Sequence, residues 1–183
     1  MKSLLYAIWE TVEVALVAIV SVLIIRYFLI QPFLVNGASM EPNFRDGDYL
    51  LIDEVSYKFN KPERGEVIVF RYPGDESFFY IKRIIGLPNE TIEISDGQIK
   101  ISNAENPKGF TLEEKYLPFN LDTESKTRKI SLKDNEYFVM GDNRNFSFDS
   151  RSWGPLEENE IIGLVRLRLW PLNTVMAFEK PIY

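Results

Sequence analysis

Ser39 lies in the stretch GASMEPNF, which begins five residues after Pro32, the residue that closes the only long apolar run of the chain. The 183 residues include no histidine and no cysteine, which excludes a Ser-His-Asp triad, a thiol nucleophile and the usual zinc sites. Any proton transfer must fall to a carboxylate, a lysine, a tyrosine or an amino terminus. Gly37 and Ala38 leave space beside the serine. Ser39 is therefore a candidate nucleophile, although it also fits a turn residue or a helix cap.

Lys82 is the side chain that could act as a base for this serine. It lies in the stretch FFYIKRIIG, whose composition predicts a β-strand. Strand alternation places Lys82 on one face with Phe78, Tyr80 and Ile84. Because desolvation disfavours an ammonium group, apolar neighbours would lower the pKa of the lysine toward the value that a general base needs near neutral pH. The alternatives are a lysine that reaches water at a sheet edge or one that pairs with an acid.

A third stretch, GDNRNFSFDSR, concentrates hydrogen-bonding groups directly after the strand-like EYFVM. In it, Asp142 could pair with Arg83 or Arg144, and Asp149 with Arg151, in charge-assisted bonds that hold a site rigid. The aspartates are also hard oxygen ligands, but the interleaved arginines would neutralise a metal site, so no metal is predicted. A polar loop with a purely structural function fits the same composition.

Taken in this order, the three stretches resemble the type I signal peptidases, membrane-anchored serine proteases that remove signal peptides from exported proteins. SMEP resembles the box of the nucleophile, YIKRIIGLP the box of the lysine and GDNRNFSFDSR the last box, and the similarity covers nearly the whole chain. The resemblance implies that Ser39 is the nucleophile and Lys82 the general base of a Ser-Lys dyad. It implies neither a cofactor nor a metal.

The same resemblance assigns roles to residues around the dyad. Ser147 matches the family residue that orients the lysine amine. Four charged residues match those that support the site, namely Asp142, Arg144, Asp149 and Arg151. The N–H of Ser39 would donate to the oxyanion, and some family members add a serine hydroxyl two positions earlier. This chain has Gly37 there, as in the glycine-bearing branch of the family.

The N-terminal segment that must carry this site to its substrate, residues 1–32, is predicted to be a membrane anchor with one transmembrane helix over about residues 9–30. It contains the uncharged run VALVAIVSVLII. A helix from Trp9 to Tyr27 would be about 27 Å long, close to the hydrocarbon thickness of a bilayer. The alternatives are a removable secretory signal and a buried helix of a soluble protein. By the resemblance, the protein is a single-pass protein of the cytoplasmic (plasma) membrane with its catalytic domain on the extracytoplasmic side.

Residues 33–183 are predicted to form a β-rich catalytic domain. Short stretches rich in Val, Ile, Phe and Tyr alternate with Gly, Pro, Asp and Asn. In SDGQ, Asp-Gly predicts a two-residue hairpin. Residues 103–133 are polar and poorly periodic, and are interpreted as an insertion. The expected fold is mostly β: an N-terminal transmembrane helix followed by a signal-peptidase-like β-sheet or barrel.

The charge pattern bears on the partners of the protein. The chain has 21 Lys plus Arg against 27 Asp plus Glu, without a basic block, so nucleic acid is not expected as a partner. The expected partners are the signal peptides of secretory preproteins and the lipid bilayer. A self-cleaving repressor-like protein would carry a DNA-binding head in place of the anchor. The remaining alternative is a catalytically inactive membrane-anchored β module that only binds.

Overall fold

The computed structural model of the protein describes residues 2–28, 30–118, 127–179 and 181. A long helix, α1, spans Lys2–Phe28. Within those described ranges, no helix combines the length and the apolar character that crossing a membrane requires. The span predicted over about residues 9–30 overlaps α1 and includes residue 29, which lies outside the described residues. Membrane crossing stays a prediction.

The rest of the described chain is mostly β, as predicted, because β-branched and aromatic residues recur in short runs between turn residues. Besides the short helix α2 (Ser150–Trp153), one-turn 3-10 helices lie at Ser56–Lys58, Glu158–Glu160 and Leu172–Thr174. The strands are β1 (Ile30–Leu34), β2 (Tyr49–Asp53), β3 (Val67–Tyr72), β4 (Asp75–Gly86), β5 (Thr91–Ser95), β6 (Gln98–Ser102), β7 (Phe110–Thr111), β8 (Arg128–Ser131), β9 (Glu136–Met140), β10 (Leu156–Glu157), β11 (Ile161–Trp170) and β12 (Met176–Ala177).

The larger sheet has the strand order β1-β2-β11-β3-β4-β9-β10, and β12 pairs with β11 at one side of this path. The pairing partners are antiparallel throughout. Strand β11, late in the chain, lies between β2 and β3 and pairs with both. The early strands β2 and β3 are therefore joined through β11, which lies more than a hundred residues after β1 in the sequence.

The smaller sheet has the order β7-β6-β5-β8. Its β5–β6 hairpin turns at Asp96 and Gly97, which have φ angles of 48° and 76°, and Ser95 pairs with Gln98 across the turn. Two consecutive positive φ angles are what a type I′ turn requires, and Asp-Gly supplies them at low cost. The predicted hairpin is confirmed.

The segment 103–133 takes part in this smaller sheet. Within it, β7 pairs with β6 and β8 pairs with β5, while residues 119–126 lie outside the described residues. Strands of two and four residues are too short to give a readable alternation, so the sequence did not predict them.

Strand β4 is held in place by the core, because its residues pack into three hydrophobic clusters. Ile85 belongs to the cluster under the smaller sheet, Ile84 to a second cluster, and Ile81 packs against a third. Ile84 and Ile85 are fully buried, and each such side chain stabilises the fold by about 1.5–3 kcal/mol. The strand that carries Lys82 is thus held on both faces.

Candidate active site

Ser39 lies in the turn between β1 and β2. Gly37, two residues earlier, has a φ of 93°, a conformation that disfavours any side chain, and its N–H donates to Asp46 Oδ1 at 2.8 Å. On the other side, Met40 and Phe44 are buried in a core cluster, and the N–H of Phe44 donates to Met40 O at 2.9 Å. The turn is held at both ends, while Ser39 itself is half-buried.

Lys82 points from the middle of β4 toward this serine. Its Nζ lies 2.8 Å from Ser39 Oγ, within hydrogen-bond distance, and donates to the Ile81 carbonyl oxygen at 2.9 Å. The lysine is 3% exposed, and its Nζ lies 5.5 Å from the centroid of the Tyr80 ring. The structure therefore brings together two residues that are 43 positions apart in the sequence.

Burial lowers the pKa of Lys82 from an ordinary 10.5 to about 8. The carboxylates of Asp149 and Asp142 oppose this shift, whereas the guanidinium of Arg151 adds to it. A neutral amine at this position can accept a proton from the serine hydroxyl 2.8 Å away. The arrangement can generate a serine alkoxide without a histidine.

Asp142 pairs with Arg83, the first of the two partners that the sequence left open. Arg83 Nε donates to Asp142 Oδ1 at 2.8 Å and Nη2 donates to Oδ2 at 2.7 Å. The same Oδ2 accepts from Asn43 Nδ2 at 2.8 Å, and Arg83 Nη1 donates to the Gly65 carbonyl oxygen at 2.8 Å. Both charges are buried. The bidentate pair fixes the backbone of β4 directly beside Lys82.

Asp149 pairs with Arg151, as the sequence suggested. Arg151 Nε and Nη2 donate to the two carboxylate oxygens at 2.8 and 2.7 Å. The N–H of Gly141 donates to Asp149 Oδ2 at 3.0 Å. Burial alone would raise the pKa of Asp149, but the bonds and the charge of Arg151 outweigh it, so this pKa is lowered. Asp149 stays ionised and ties the two ends of the loop together.

Arg144 binds a residue that the sequence did not single out. Its Nη1 donates to Glu114 Oε2 at 2.8 Å, and its Nη2 also donates to the Glu114 carboxylate. Tyr116, two positions further on, contacts Arg83, whose guanidinium lies 4.0 Å from the centroid of the tyrosine ring. Glu114 and Tyr116 lie in the segment interpreted as an insertion, and no motif marks them.

Ser147 lies close to the dyad without bonding to the lysine. Its Oγ is buried and, among the described residues, forms no hydrogen bond of normal geometry, although it is near enough to Asp149 to help lower the pKa of that carboxyl. A Cβ on Gly141 would lie 2.2 Å from Ser147 Oγ and 2.4 Å from Ser39 O. Gly141 is thus the residue whose missing side chain lets Ser147 and Ser39 approach each other.

A cavity of about 340 Å³ opens beside Ser39 and Lys82. It is bounded by β1 and the first half of β4, where the Phe33 and Phe79 rings lie 5.7 Å apart. In the described part of the chain, β1 pairs only with β2, and β4 before Arg83 pairs only with β3. Two strand edges that no other described strand pairs with therefore border this cavity, and on the edge of β4 the Ile81 carbonyl oxygen accepts from Lys82 Nζ. A larger cavity of about 1020 Å³ lies behind the Arg83 pair and does not include either dyad residue.

Two further features bear on catalysis. The N–H of Ser39 forms no hydrogen bond to another described residue, so this donor is available to a ligand. Among the residues that the structure describes, no cluster of three or more carboxylates is placed to hold a metal ion.

The family model and the related sequences agree on one family. Residues 8–170 match the family described as signal peptidase, peptidase S26. A Synechocystis sp. protein designated probable signal peptidase I-1 is 35% identical over 90% of this chain and 83% of its own length. The signal peptidase I of Leptolyngbya laminosa is 33% identical over 94% of this chain and 84% of its own length. A crystal structure of a signal peptidase I from Enterococcus faecalis V583 aligns with 57% of this chain and 97% of that chain, at 28% identity and a TM-score of 0.48.

Proposed function

Because the chain belongs to the signal peptidases of family S26, and so to the hydrolases of the signal peptidase I class, we propose that it is a membrane-anchored serine endopeptidase. It cleaves N-terminal signal peptides from exported preproteins, with Ser39 as nucleophile and Lys82 as general base. The observation that carries this proposal is that the buried amine of Lys82 lies 2.8 Å from Ser39 Oγ.

The reaction begins when the neutral amine of Lys82 takes the proton of Ser39 as Oγ attacks the scissile carbonyl carbon. The carbonyl becomes a tetrahedral oxyanion, and its collapse breaks the C–N bond. The ammonium of Lys82, formed in the first step, gives its proton to the leaving amine. This amine departs as the new N-terminus of the mature protein. Lys82, neutral again, then deprotonates a water molecule that attacks the acyl-serine ester. The bond between the acyl carbon and Ser39 Oγ breaks, the lysine returns its proton to Oγ, and the signal peptide leaves as a carboxylic acid.

The oxyanion is stabilised by the N–H of Ser39, which has no other described partner. Gly37 offers no side-chain donor, and its own N–H is bound to Asp46. The ion pairs described above support the site, through Asp142, Arg144, Asp149 and Arg151. Ser147 is proposed to orient the lysine amine. Its buried hydroxyl beside Gly141 is close enough to the dyad region to support that role.

The substrate is proposed to bind as an extended strand between the free edges of β1 and β4. Backbone groups on both edges can pair with the peptide, and the cavity beside Ser39 then receives its alternate side chains. The side chains that enter this cavity are proposed to be small at the first and third positions before the cut. This matches the small residues that precede the cleavage point of secretory signals.

Membrane anchoring through residues 1–32 is part of the proposal. An anchored enzyme and a signal peptide in the same bilayer are confined to a thin layer, which raises their effective concentration. The catalytic domain is placed on the extracytoplasmic side of the plasma membrane. A chain expressed in bacteria is expected to stay in the membrane pellet after alkaline washing, whereas complete release into the supernatant would contradict the anchor.

The proposed activity is tested by incubating the purified full chain in detergent with a preprotein that carries a signal peptide. We expect one cleavage, with small residues at the first and third positions before the cut, and N-terminal sequencing of the product identifies it. Addition of EDTA should leave the rate unchanged. A chain that binds the preprotein without cutting it would instead be the inactive binding module.

The rate of cleavage is expected to rise with pH, because only the neutral amine of Lys82 can act as a base. With a pKa of about 8, kcat/KM should increase about tenfold per pH unit in the range below that value and level off above it. Initial rates with circular dichroism at each pH separate catalysis from unfolding. A profile that is already level well below the lysine pKa would assign the base to a carboxylate.

A further inference from the structure

Residues 112–118 form a strap that crosses from the smaller sheet to the candidate active site. Its first residue, Leu112, is buried in the cluster under that sheet, and its N–H donates to the Ile99 carbonyl oxygen at 2.8 Å. The next residues leave the sheet and place two side chains, those of Glu114 and Tyr116, against the arginines of the site. The strap is therefore anchored at one end in the core and is not a free loop.

The first contact of the strap is with Arg144, whose side chain is 0% exposed. Glu114 is 11% exposed and accepts from both terminal nitrogens of Arg144. Tyr116 Oη donates at 2.5 Å to Glu114 Oε1, the same oxygen that accepts from Arg144 Nη2, and this hydroxyl itself lies 3.4 Å from Nη2. A buried guanidinium is costly without a charged partner that matches its fork, and Glu114 supplies that partner.

From Arg144, the bonds continue to the nucleophile. Arg144 Nε donates to the Gly141 carbonyl oxygen at 3.1 Å and closes the turn 141–144. In this turn, the N–H of Asn143 donates to Ser39 O at 3.0 Å, and Asn143 Nδ2 donates to Ala38 O at 3.0 Å. Glu114 is thus three contacts away from the backbone of Ser39.

The second contact of the strap is with the lysine side of the site. The Tyr116 carbonyl oxygen accepts from Asn43 Nδ2 at 3.0 Å, and Asn43 also donates to Asp142, the partner of Arg83. The Tyr116 ring covers the Arg83 guanidinium at 4.0 Å. Since Arg83 follows Lys82 on β4, the strap touches the supports of both dyad residues.

We propose that Glu114 is a positioning residue for the cleavage reaction: it fixes Arg144 and, through Arg144, the turn that holds Ser39 against Lys82. This inference rests on the proposed function of the dyad. The described contacts of Glu114 are with Arg144 and Tyr116 and not with Ser39 or Lys82, so its effect passes through the Arg144 side chain. Small displacements of reacting groups have large consequences, since a shift of about 1 Å can lower a rate about 100-fold.

The chain offers a matched control within the same strap. Glu113 pairs with Lys115, and both side chains are largely exposed, at 75% and 79%. Glu113→Gln removes the same charge one position earlier, without touching Arg144. The comparison with Glu114→Gln therefore separates the contact with the site from the general effect of losing a carboxylate in the strap.

We expect Glu114→Gln to lower kcat for preprotein cleavage by about 10- to 100-fold with KM changed less than about threefold, and Glu113→Gln to match the unaltered chain. Glu114→Asp, which keeps the charge on a shorter side chain, should recover part of the rate. An unchanged kcat in Glu114→Gln would overturn the inference, and so would an equal loss in Glu113→Gln.

A second readout is independent of cleavage. If loosening the turn lets water reach Lys82, the pKa of this amine should move from about 8 back toward its ordinary value, by roughly one unit. Competitive acetylation of the lysines at several pH values, followed by peptide mass spectrometry, measures this pKa in the full chain. A shift in Glu114→Gln with none in Glu113→Gln supports the inference even if the chain cleaves no preprotein, in which case only the proposed function fails.

If Glu114→Gln does not fold, Tyr116→Phe replaces it in both measurements. This change removes the hydroxyl that donates to Glu114 and keeps the ring on Arg83. We expect a smaller loss of kcat, about three- to tenfold, with the lysine pKa shifted in the same direction. A folded Tyr116→Phe variant with an unaltered rate and an unaltered lysine pKa would overturn the inference.

Discussion

Replacement of Lys82 by methionine is expected to abolish cleavage of a signal-bearing preprotein while the fold remains intact. Methionine has a similar length and suits the apolar site, but it cannot accept a proton. Residues that act as one catalytic unit cost about 10⁴-fold or more in kcat when one of them is removed. Because Lys82 is 3% exposed and burial disfavours its charged form, the variant should be at least as stable as the unaltered chain.

Rates from the detergent assay and melting curves from circular dichroism provide the two measurements. The control is Lys129→Met, which changes an exposed lysine of β8 and should leave both the rate and the melting temperature unaltered. Lys82→Arg should be inactive too, since a guanidinium stays protonated. Substantial cleavage by the methionine variant would show that another group is the base.

Replacement of Ser39 by alanine is expected to abolish cleavage equally, but to leave the binding of preprotein intact. The change removes only Oγ, and the strand edges of β1 and β4 and the cavity between them do not depend on that atom. The loss should again be about 10⁴-fold or more. A preprotein that is not cut should remain bound, so the variant should retain it on an affinity column more strongly than the active chain does.

The control for this experiment is Ser152→Ala, which alters an exposed serine of α2 and should cleave at the normal rate. Loss of both binding and cleavage in Ser39→Ala would indicate that the turn had rearranged. Cleavage at the normal rate would remove Ser39 from the mechanism.

Local sequence signals predicted those parts of the structure that depend on neighbours in the chain. The β5–β6 hairpin follows from Asp96 and Gly97 alone, because the positive φ angles belong to those two residues. Alternation along β4 correctly grouped Lys82 with Tyr80, whose ring lies 5.5 Å from Nζ, and with Ile84, a member of the core cluster that Tyr80 packs against. Phe78, the fourth residue of this face, is exposed, since it lies beyond the part of β4 that the core covers.

Contacts between distant segments could not be predicted in the same way. The sequence allowed Asp142 to pair with Arg83 or Arg144, and only the folded chain shows that Arg83 takes Asp142 while Arg144 takes Glu114. Glu114 lies in a segment that is polar and has no clear period, and nothing local distinguishes it from Glu113. The difference between a buried support and a solvated charge here is set by packing, which single-sequence patterns do not contain.

The position of β11 in the larger sheet has a consequence for the time at which the protein can become active. The β1–β2 turn presents Ser39 and β4 presents Lys82, and in the described part of the chain β11 is the strand that joins β2 to β3. A nascent chain still on the ribosome, with residues 161–170 inside the exit tunnel, has both dyad residues outside but lacks the strand that aligns them. The segments that carry Ser39 and Lys82 are thus joined in one sheet only after β11 has paired with β2 and β3.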